Sequence, residues 1–370
     1  MHLCFICKHL RGCIIACKKA WGFKPRCSAF DSIKILENLS MKIALMINRL
    51  MEAPKPEEHE LNLIRRARLI RMISETVLSL GHEVEYIEDD AYLRENLLTF
   101  SPELVFLQTF RADPCASILR IQTLLDELCL PYTGSPPVAC HNAQNKYQAK
   151  LRFRERNLPT PAFALVEHGQ TFIQTAVNLS YPLFIKPLYG GCSMGIHPDN
   201  PVNNEPDLAR VLRETQAVTN QTVLVEEFIG GREFSVGILG NEPPFALPPI
   251  EFIALTKGEQ TAAFRLFEAK TDAEIKEPFE CPPNLSETEQ QTIQNLAISA
   301  FQALGCRDYA RVDIRCDRSG NPYLLEVNVH PSLLPQSSMP IMAEKTGISY
   351  PQLFEHIFRA AFERYGNPTC

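Results

Sequence analysis

The 370-residue chain has no apolar run approaching the roughly 18–20 residues that cross a bilayer, and no long basic cluster. The first absence leaves no candidate membrane-spanning helix. The second, together with a formal net charge of −6, removes the electrostatic case for nucleic acid. A GxxxxGK(S/T) phosphate loop, an HExxH helix and a CxxC pair matched by a second pair are also missing from the core of the sequence. No internal repeat or low-complexity segment is present. What remains, 45% apolar and 22% charged residues, is the profile of a soluble globular protein of two or three domains, expected in the cytoplasm.

Cysteine is not scarce. Of thirteen, five (Cys4, Cys7, Cys13, Cys17 and Cys27) fall within the first 40 residues. Cys4, Cys7, His9, Cys13 and Cys17 can be drawn as a zinc site, but the spacing lacks a paired second half. The start is cationic and faintly apolar, without a clean signal-peptide core and cleavage site. Met41-Lys-Ile-Ala-Leu-Met-Ile-Asn48 reads as the first strand of an α/β domain, with a methionine of its own to initiate it. Residues 1–40 are therefore read as an extension outside the functional fold. The other eight are scattered, several inside apolar runs, where free cysteine behaves as a small core side chain in a reduced compartment.

From Met41 strands and helices alternate. Residues 42–47 suit a buried parallel strand. Residues 60–80 carry apolar side chains at helical spacing and stop at Gly81. Strands follow at 83–87 and 104–107, and a helix at 116–128 that ends before Pro131. This pattern predicts an open parallel sheet with flanking helices over 41–145. A second unit, 146–237, holds a helix at 144–157, strands at 162–166, 183–185 and 222–226, and a helix at 205–217. After the proline-rich segment Pro243–Pro249, a third unit, 238–370, contains a helix at 286–304 and strands at 309–315 and 323–327.

Several of these elements carry chemistry. Asp317-Arg-Ser-Gly-Asn-Pro322 is a turn signal, so the last two strands form a hairpin that sets Asp313 beside Glu326, with Asn328 further along the same face. Two carboxylates and an amide oxygen suit magnesium, although a solvated hairpin face would present the same residues. Arg311 shares that face, as an oxyanion clamp or as half of a salt bridge. Lys186 ends a buried strand and precedes the loop Gly190-Gly-Cys-Ser193-Met-Gly195, where glycines let N–H groups approach phosphate oxygens. Around the turn Phe228-Ile229-Gly-Gly, Glu226 and Glu233 lie seven residues apart; they bracket an apolar slot for a base, or an edge strand with solvated acids.

In this order the pieces resemble the D-alanine–D-alanine ligase branch of the ATP-grasp superfamily, strongly over about residues 130–360. The matching motifs are Tyr132-Thr-Gly-Ser, Lys146-x-x-x-Lys150, Tyr181-Pro-Leu-Phe-Ile-Lys-Pro, Glu226-Glu-Phe-Ile229 and Gly231-Arg-Glu233. Glu268-Ala-Lys270, Ala310-Arg-Val-Asp313 and Leu325-Glu-Val-Asn328 complete the set. The resemblance implies an N-terminal α/β domain followed by two α+β lobes clamping ATP. It implies that Lys146 and Lys186 hold the α- and β-phosphates, and that Glu226, Glu227, Phe228 and Ile229 bind adenine. Glu233 would take the ribose hydroxyls, and Lys270 the transferred phosphate. Asp313, Glu326 and Asn328 would ligate two magnesium ions, with manganese as an alternative. Arg311 would stabilise the tetrahedral intermediate, with Ser193 in the loop over it. The implied reaction phosphorylates a carboxylate, lets an amine attack the acylphosphate, and releases ADP and phosphate. A homodimer is implied by the family alone.

Departures from the family pattern gather in the amino-acid pocket. Its Gly-Ser-Ser-x-Gly loop reads Gly191-Cys192-Ser193-Met194-Gly195, and the tyrosine after Glu-Ala-Lys is Thr271. Asn48-Arg-Leu-Met-Glu-Ala-Pro stands where Gly-Gly-x-Ser-x-Glu is expected. In the family that glutamate, that tyrosine and the first serine hold the first D-alanine. The His-Gly segment expected after the third strand is replaced by Leu107-Gln-Thr-Phe-Arg-Ala112, and Asn-x-x-Pro-Gly by Asn328-Val-His-Pro-Ser332. Ser337, followed by Ser338, still matches the serine near the second substrate's carboxylate. The pattern predicts an ATP-dependent carboxylate–amine ligase acting on small amino-acid and carboxylate substrates through an altered pocket. The alternatives are an authentic peptidoglycan D-alanine–D-alanine ligase, a natural-product amino-acid ligase of the mycosporine-like kind, and a nucleotide-binding regulator without turnover.

Overall fold

A computed structural model describes residues 40–48, 56–108, 116–170, 179–190, 195–197, 199–253, 256–257, 260–261 and 278–366. Of the proposed extension, 1–40, only Ser40 is among them.

Strands β1 (Lys42–Ile47), β2 (Glu83–Tyr86) and β3 (Leu104–Gln108) form a parallel sheet in the order β2-β1-β3. Helices α1 (Pro56–Ser79), α2 (Leu93–Phe100) and α3 (Ala116–Glu127) connect and cover it. Ile43, Leu45 and Ile47 pack against Leu69, Ile73 and Val77 of α1 on one face. Ala44 and Met46 pack against Leu97, Ile121 and Leu125 on the other. With both faces covered, β1 must be apolar at nearly every position, which is why it reads as a continuous run. Helix α2 falls between the segments assigned from sequence; its Leu93, Leu97 and Phe100 are buried along one side.

The helix expected at 144–157 is α5 (Lys146–Glu155), and a helix not assigned from sequence, α4 (Pro137–Gln144), precedes it. Asn145 separates them with extended backbone, and its side chain accepts from the Gln148 N–H to cap α5. A small antiparallel sheet follows, in the order β4 (Phe163–Val166), β6 (Val223–Glu227), β5 (Leu183–Pro187). Helix α6 (Glu205–Thr219) buries Leu208, Val211 and Leu212 against it.

The larger sheet runs β12 (Phe279–Glu280), β9 (Ile250–Phe252), β7 (Glu233–Leu239), β13 (Tyr309–Cys316), β14 (Pro322–Asn328), with β8 (Phe245–Ala246) also on β7. A short hairpin, β10 (Thr256–Lys257) and β11 (Gln260–Thr261), stands apart. The division drawn at 237/238 falls inside β7, which pairs with β13 along its whole length, Glu233 with Arg315 through Leu239 with Tyr309. Helix α7 (Glu287–Ala303), started by a capping box of Ser286 and Glu289, covers the back of this sheet with Ile293, Ala297 and Phe301. Helices α8 (Ser338–Glu344) and α9 (Tyr350–Gly366) return to the first sheet, where Phe354 and Phe358 meet Phe106 edge-on at 5.6 and 5.5 Å. Asp308, fully buried, ties the units together: it accepts from Gly134 N at 2.7 Å and from Arg364 Nη2 at 2.9 Å. No described helix is long and apolar enough to cross a membrane.

Candidate active site

Alternation along β13 sends Ala310, Val312 and Ile314 into the core behind the larger sheet. Arg311, Asp313 and Arg315 share the opposite face. The β13–β14 hairpin is in place, with Asp313 opposite Glu326 and Arg311 opposite Asn328. Arg311 donates to Asp313 through Nε at 2.9 Å and Nη2 at 2.8 Å, and Ser235 Oγ on β7 donates at 2.5 Å. Asn328 Oδ1 accepts from the His330 N–H at 3.0 Å. Among the described residues no three His, Cys, Asp or Glu side chains form a metal-holding group. Two carboxylates and an amide oxygen are nevertheless the hard donors magnesium takes when phosphates complete its shell. A guanidinium already sits against Asp313, so the site accepts positive charge.

The small sheet presents a second cluster. Phe184 of β5 pairs with Glu226 of β6, which places Lys186, two residues on, diagonally across from Glu226 on one face. Lys186 Nζ lies 2.6 Å from Glu226 Oε1, and Lys150 Nζ from α5 lies 2.8 Å from Oε2. Lys150 also donates to Thr160 Oγ1 at 2.7 Å. Burial pushes the Glu226 carboxyl up, but the two ammonium groups outweigh it and hold the acid below its ordinary value. Burial pulls Lys150 down to about 8 against the pull of Glu226. The Glu226 side chain is thus committed to the lysines, and what it can offer a ligand is backbone. Lys146, first residue of α5, donates from Nζ to Gly190 O at 2.6 Å, at the mouth of the glycine loop. Gly190 has φ of 103°, a conformation that favours glycine.

Just past β6, Phe228 and Ile229 are half-buried. Phe228 stacks on Phe184 with ring centres 6.0 Å apart. The N–H groups of Glu227 and Phe228 go to Ala162 O and Pro182 O, whereas the Ile229 N–H has no acceptor among the described residues. Glu233, at the start of β7, pairs with Arg315 at 3.0 Å. An aromatic wall, a backbone donor and a nearby carboxylate are suited to a base and its sugar.

The loop after β14 lies under the first sheet. Gln108, buried at the end of β3, donates from Nε2 to Pro331 O at 3.2 Å. Ser332 and Ser337 share a hydrogen bond at 2.7 Å between their hydroxyls, and Ser338 opens α8. At the end of β1, Asn48 is buried and its carbonyl accepts from Arg66 Nε at 3.3 Å.

Ser193 and Lys270, like Cys192 and Thr271, lie outside the described residues. Sequence reasoning did not single out Ser235, Thr160 or Arg315, nor pair Lys150 with Glu226. Arg315 had a signal, since it stands two residues beyond Asp313 on the face that already held Arg311.

A family model described as "D-ala D-ala ligase C-terminus" matches residues 153–359. A D-alanine–D-alanine ligase of Pelotomaculum thermopropionicum is 36% identical over 254 residues, 66% of this chain and 76% of that one. One from Desulforudis audaxviator is 33% identical over 297 residues, 80% and 92% of the two chains. An uncharacterized protein, y4sG, of Sinorhizobium fredii is 30% identical over 308 residues, 81% and 89%. The crystal structure of a D-alanine–D-alanine ligase from Bacillus anthracis complexed with ATP superimposes with a TM-score of 0.67 at 20% identity, covering 88% of this chain and 99% of that one, which establishes the shared fold. The chain belongs to the D-alanine–D-alanine ligase-like family of the ATP-grasp superfamily and is an ATP-dependent ligase.

Proposed function

We propose that the protein joins a carboxylate to an amine through an acylphosphate, and that its substrate pair is not two molecules of D-alanine. The observation that carries the second part is at the strand ends. Open α/β sheets bind ligands beyond the carboxyl ends of their strands, and here the buried side chains at those ends are the neutral amides Asn48 and Gln108. A neutral amide can hydrogen-bond an ammonium but does not offset its charge as a carboxylate does. Gln108 is moreover tied to the Pro331 carbonyl, one residue before Ser332. Both sides of the amino-acid pocket therefore differ in kind from the family pattern.

The roles follow from chemistry. Lys146 and Lys186 offset the α- and β-phosphate charge, with Glu226 fixing Lys186. Phe228 walls the adenine, the Ile229 N–H donates to it, and Glu233 accepts from the ribose. Asp313, Glu326 and Asn328 hold two magnesium ions, which when bound neutralise charge on the β- and γ-phosphates. Lys270 steadies the transferred phosphoryl group, and Arg311 holds the oxyanion that forms when the amine adds, with Ser193 above it. Ser332, Ser337 and Ser338 position the amine substrate's carboxylate. The lobes divide near 145 and in the turn before β7, and the protein acts in the cytoplasm as a homodimer. An acylphosphate is trapped by hydroxylamine as a hydroxamate. Incubating the protein with ATP, magnesium, hydroxylamine and a panel of carboxylates is expected to give hydroxamate with at least one acid other than D-alanine. Hydroxamate from D-alanine alone would overturn the altered-pocket reading, and none from any acid would overturn carboxylate activation.

A further inference from the structure

Arg315 makes a contact that none of the roles above requires. Its side chain is 9% exposed and its Nη1 lies 3.0 Å from Glu233 Oε2. Its guanidinium carbon lies 4.7 Å from the centre of the Phe228 ring. Glu233 starts β7 of the larger sheet and Phe228 directly follows β6 of the small one, so one cation touches a carboxylate and an aromatic ring from the two sides together. Few side chains can do both. A guanidinium is planar and always charged, and it can lie on a ring while its edge faces a carboxylate.

We propose that Arg315 is a positioning residue for nucleotide recognition: it holds Glu233 for the sugar hydroxyls and closes the sugar end of the base slot against Phe228. The inference rests on the nucleotide occupying this cleft, as set out above. Two physical arguments support it. A bare carboxylate beside a polyphosphate ligand would repel it, and the guanidinium cancels that charge where it stands. With Oε2 held by Arg315, the carboxylate is fixed in rotation and presents Oε1 as an acceptor in one direction. The residue stands two positions along β13 from Asp313, away from the reacting phosphate, so its influence falls on nucleotide affinity and sugar selectivity rather than on the chemical step.

The test is calorimetric titration of the full-length protein, in magnesium, with ATP, 2′-deoxy-ATP and 3′-deoxy-ATP. Wild type is expected to prefer ATP to a deoxy form by about tenfold, the worth of a hydrogen bond to a charged acceptor. Arg315→Met is expected to bind ATP about tenfold more weakly and to lose that preference, with kcat at saturating ATP kept within about twofold. Arg315→Lys restores affinity in part but not selectivity, because a point charge lacks the fork; it also carries the test if the methionine variant fails to fold. Glu233→Gln is expected to lose selectivity likewise. Equal weakening of all three nucleotides with the preference intact would mark Arg315 as merely structural and overturn the inference, as would unchanged ATP affinity. A wild type that binds ATP without sugar preference overturns it too, leaving the nucleotide site standing. A wild type that binds no ATP removes the site itself.

Discussion

Arg311 grips both carboxylate oxygens of Asp313, at 2.9 and 2.8 Å, from two residues away on the same strand. The acid best placed to take a metal is thus neutralised by a neighbouring cation. Asp313→Asn removes that charge, and Glu326→Gln removes the carboxylate opposite it in the hairpin. Each variant is expected to keep its circular dichroism and lose turnover by a factor on the order of 10²–10³. Near-normal rates in both would remove the metal assignment.

Glu226 sits between two ammonium groups, at 2.6 Å from Lys186 and 2.8 Å from Lys150. Glu226→Gln leaves two lysines, at 7% and 0% side-chain exposure, without their anion. Breaking a buried pair costs about 3–5 kcal/mol, and denaturant titration at pH 7 should register a loss of that order. The sign of the pH dependence follows from the depressed carboxyl. Its unfolded value is 4.5 and its folded value lower, so its stabilisation is complete above 4.5 and is lost as pH falls through the folded value. Wild type should therefore show a steeper acid limb below pH 4.5 than Glu226→Gln; parallel limbs would show the pair to be ineffective.

A Cβ on Gly231 would stand 2.2 Å from Cys316 O and 2.8 Å from Asp317 O, both backbone atoms. Gly231→Ala must push β7 away from the end of β13, at a cost of about 1–3 kcal/mol. Glu233 lies two residues on, so nucleotide affinity should fall along with the denaturation midpoint. Unchanged values of both would mean the turn relaxes freely.

A chain beginning at Met41 should fold and bind ATP. Met41 is 8% exposed and packs in the first core, and its carbonyl accepts from Glu83 N at 2.8 Å, so the described core already starts at the new first residue. Insolubility or lost binding in the truncated chain would make residues 1–40 structural.

What was legible in the sequence is what depends on local period. The Asp317–Pro322 turn and the alternation around it placed Asp313 beside Glu326, and β1 announced itself because both its faces are covered. Helix α2 is eight residues long, too short to show a clear period against flanking loops. Helix α4, also eight residues, was missed for the same reason. The rest is long-range. Gln108 meets Pro331 across 223 residues and Arg315 meets Glu233 across 82, contacts made by the packing of whole lobes rather than by any nearby pattern.

The substrate claim meets its most direct test in ADP formation with D-alanine as the only amino acid, set against a panel of L- and D-amino acids with small carboxylate donors. A site that recognises an ammonium and a carboxylate through polar partners loses a factor of roughly 10² or more when several of those partners change. Here Asn48, Gln108 and Ser332 stand at changed positions, as do Cys192 and Thr271 in sequence. The account predicts slow or absent ADP release with D-alanine and efficient release with another pair. Robust D-alanyl-D-alanine synthesis, with no other pair faster, would contradict it.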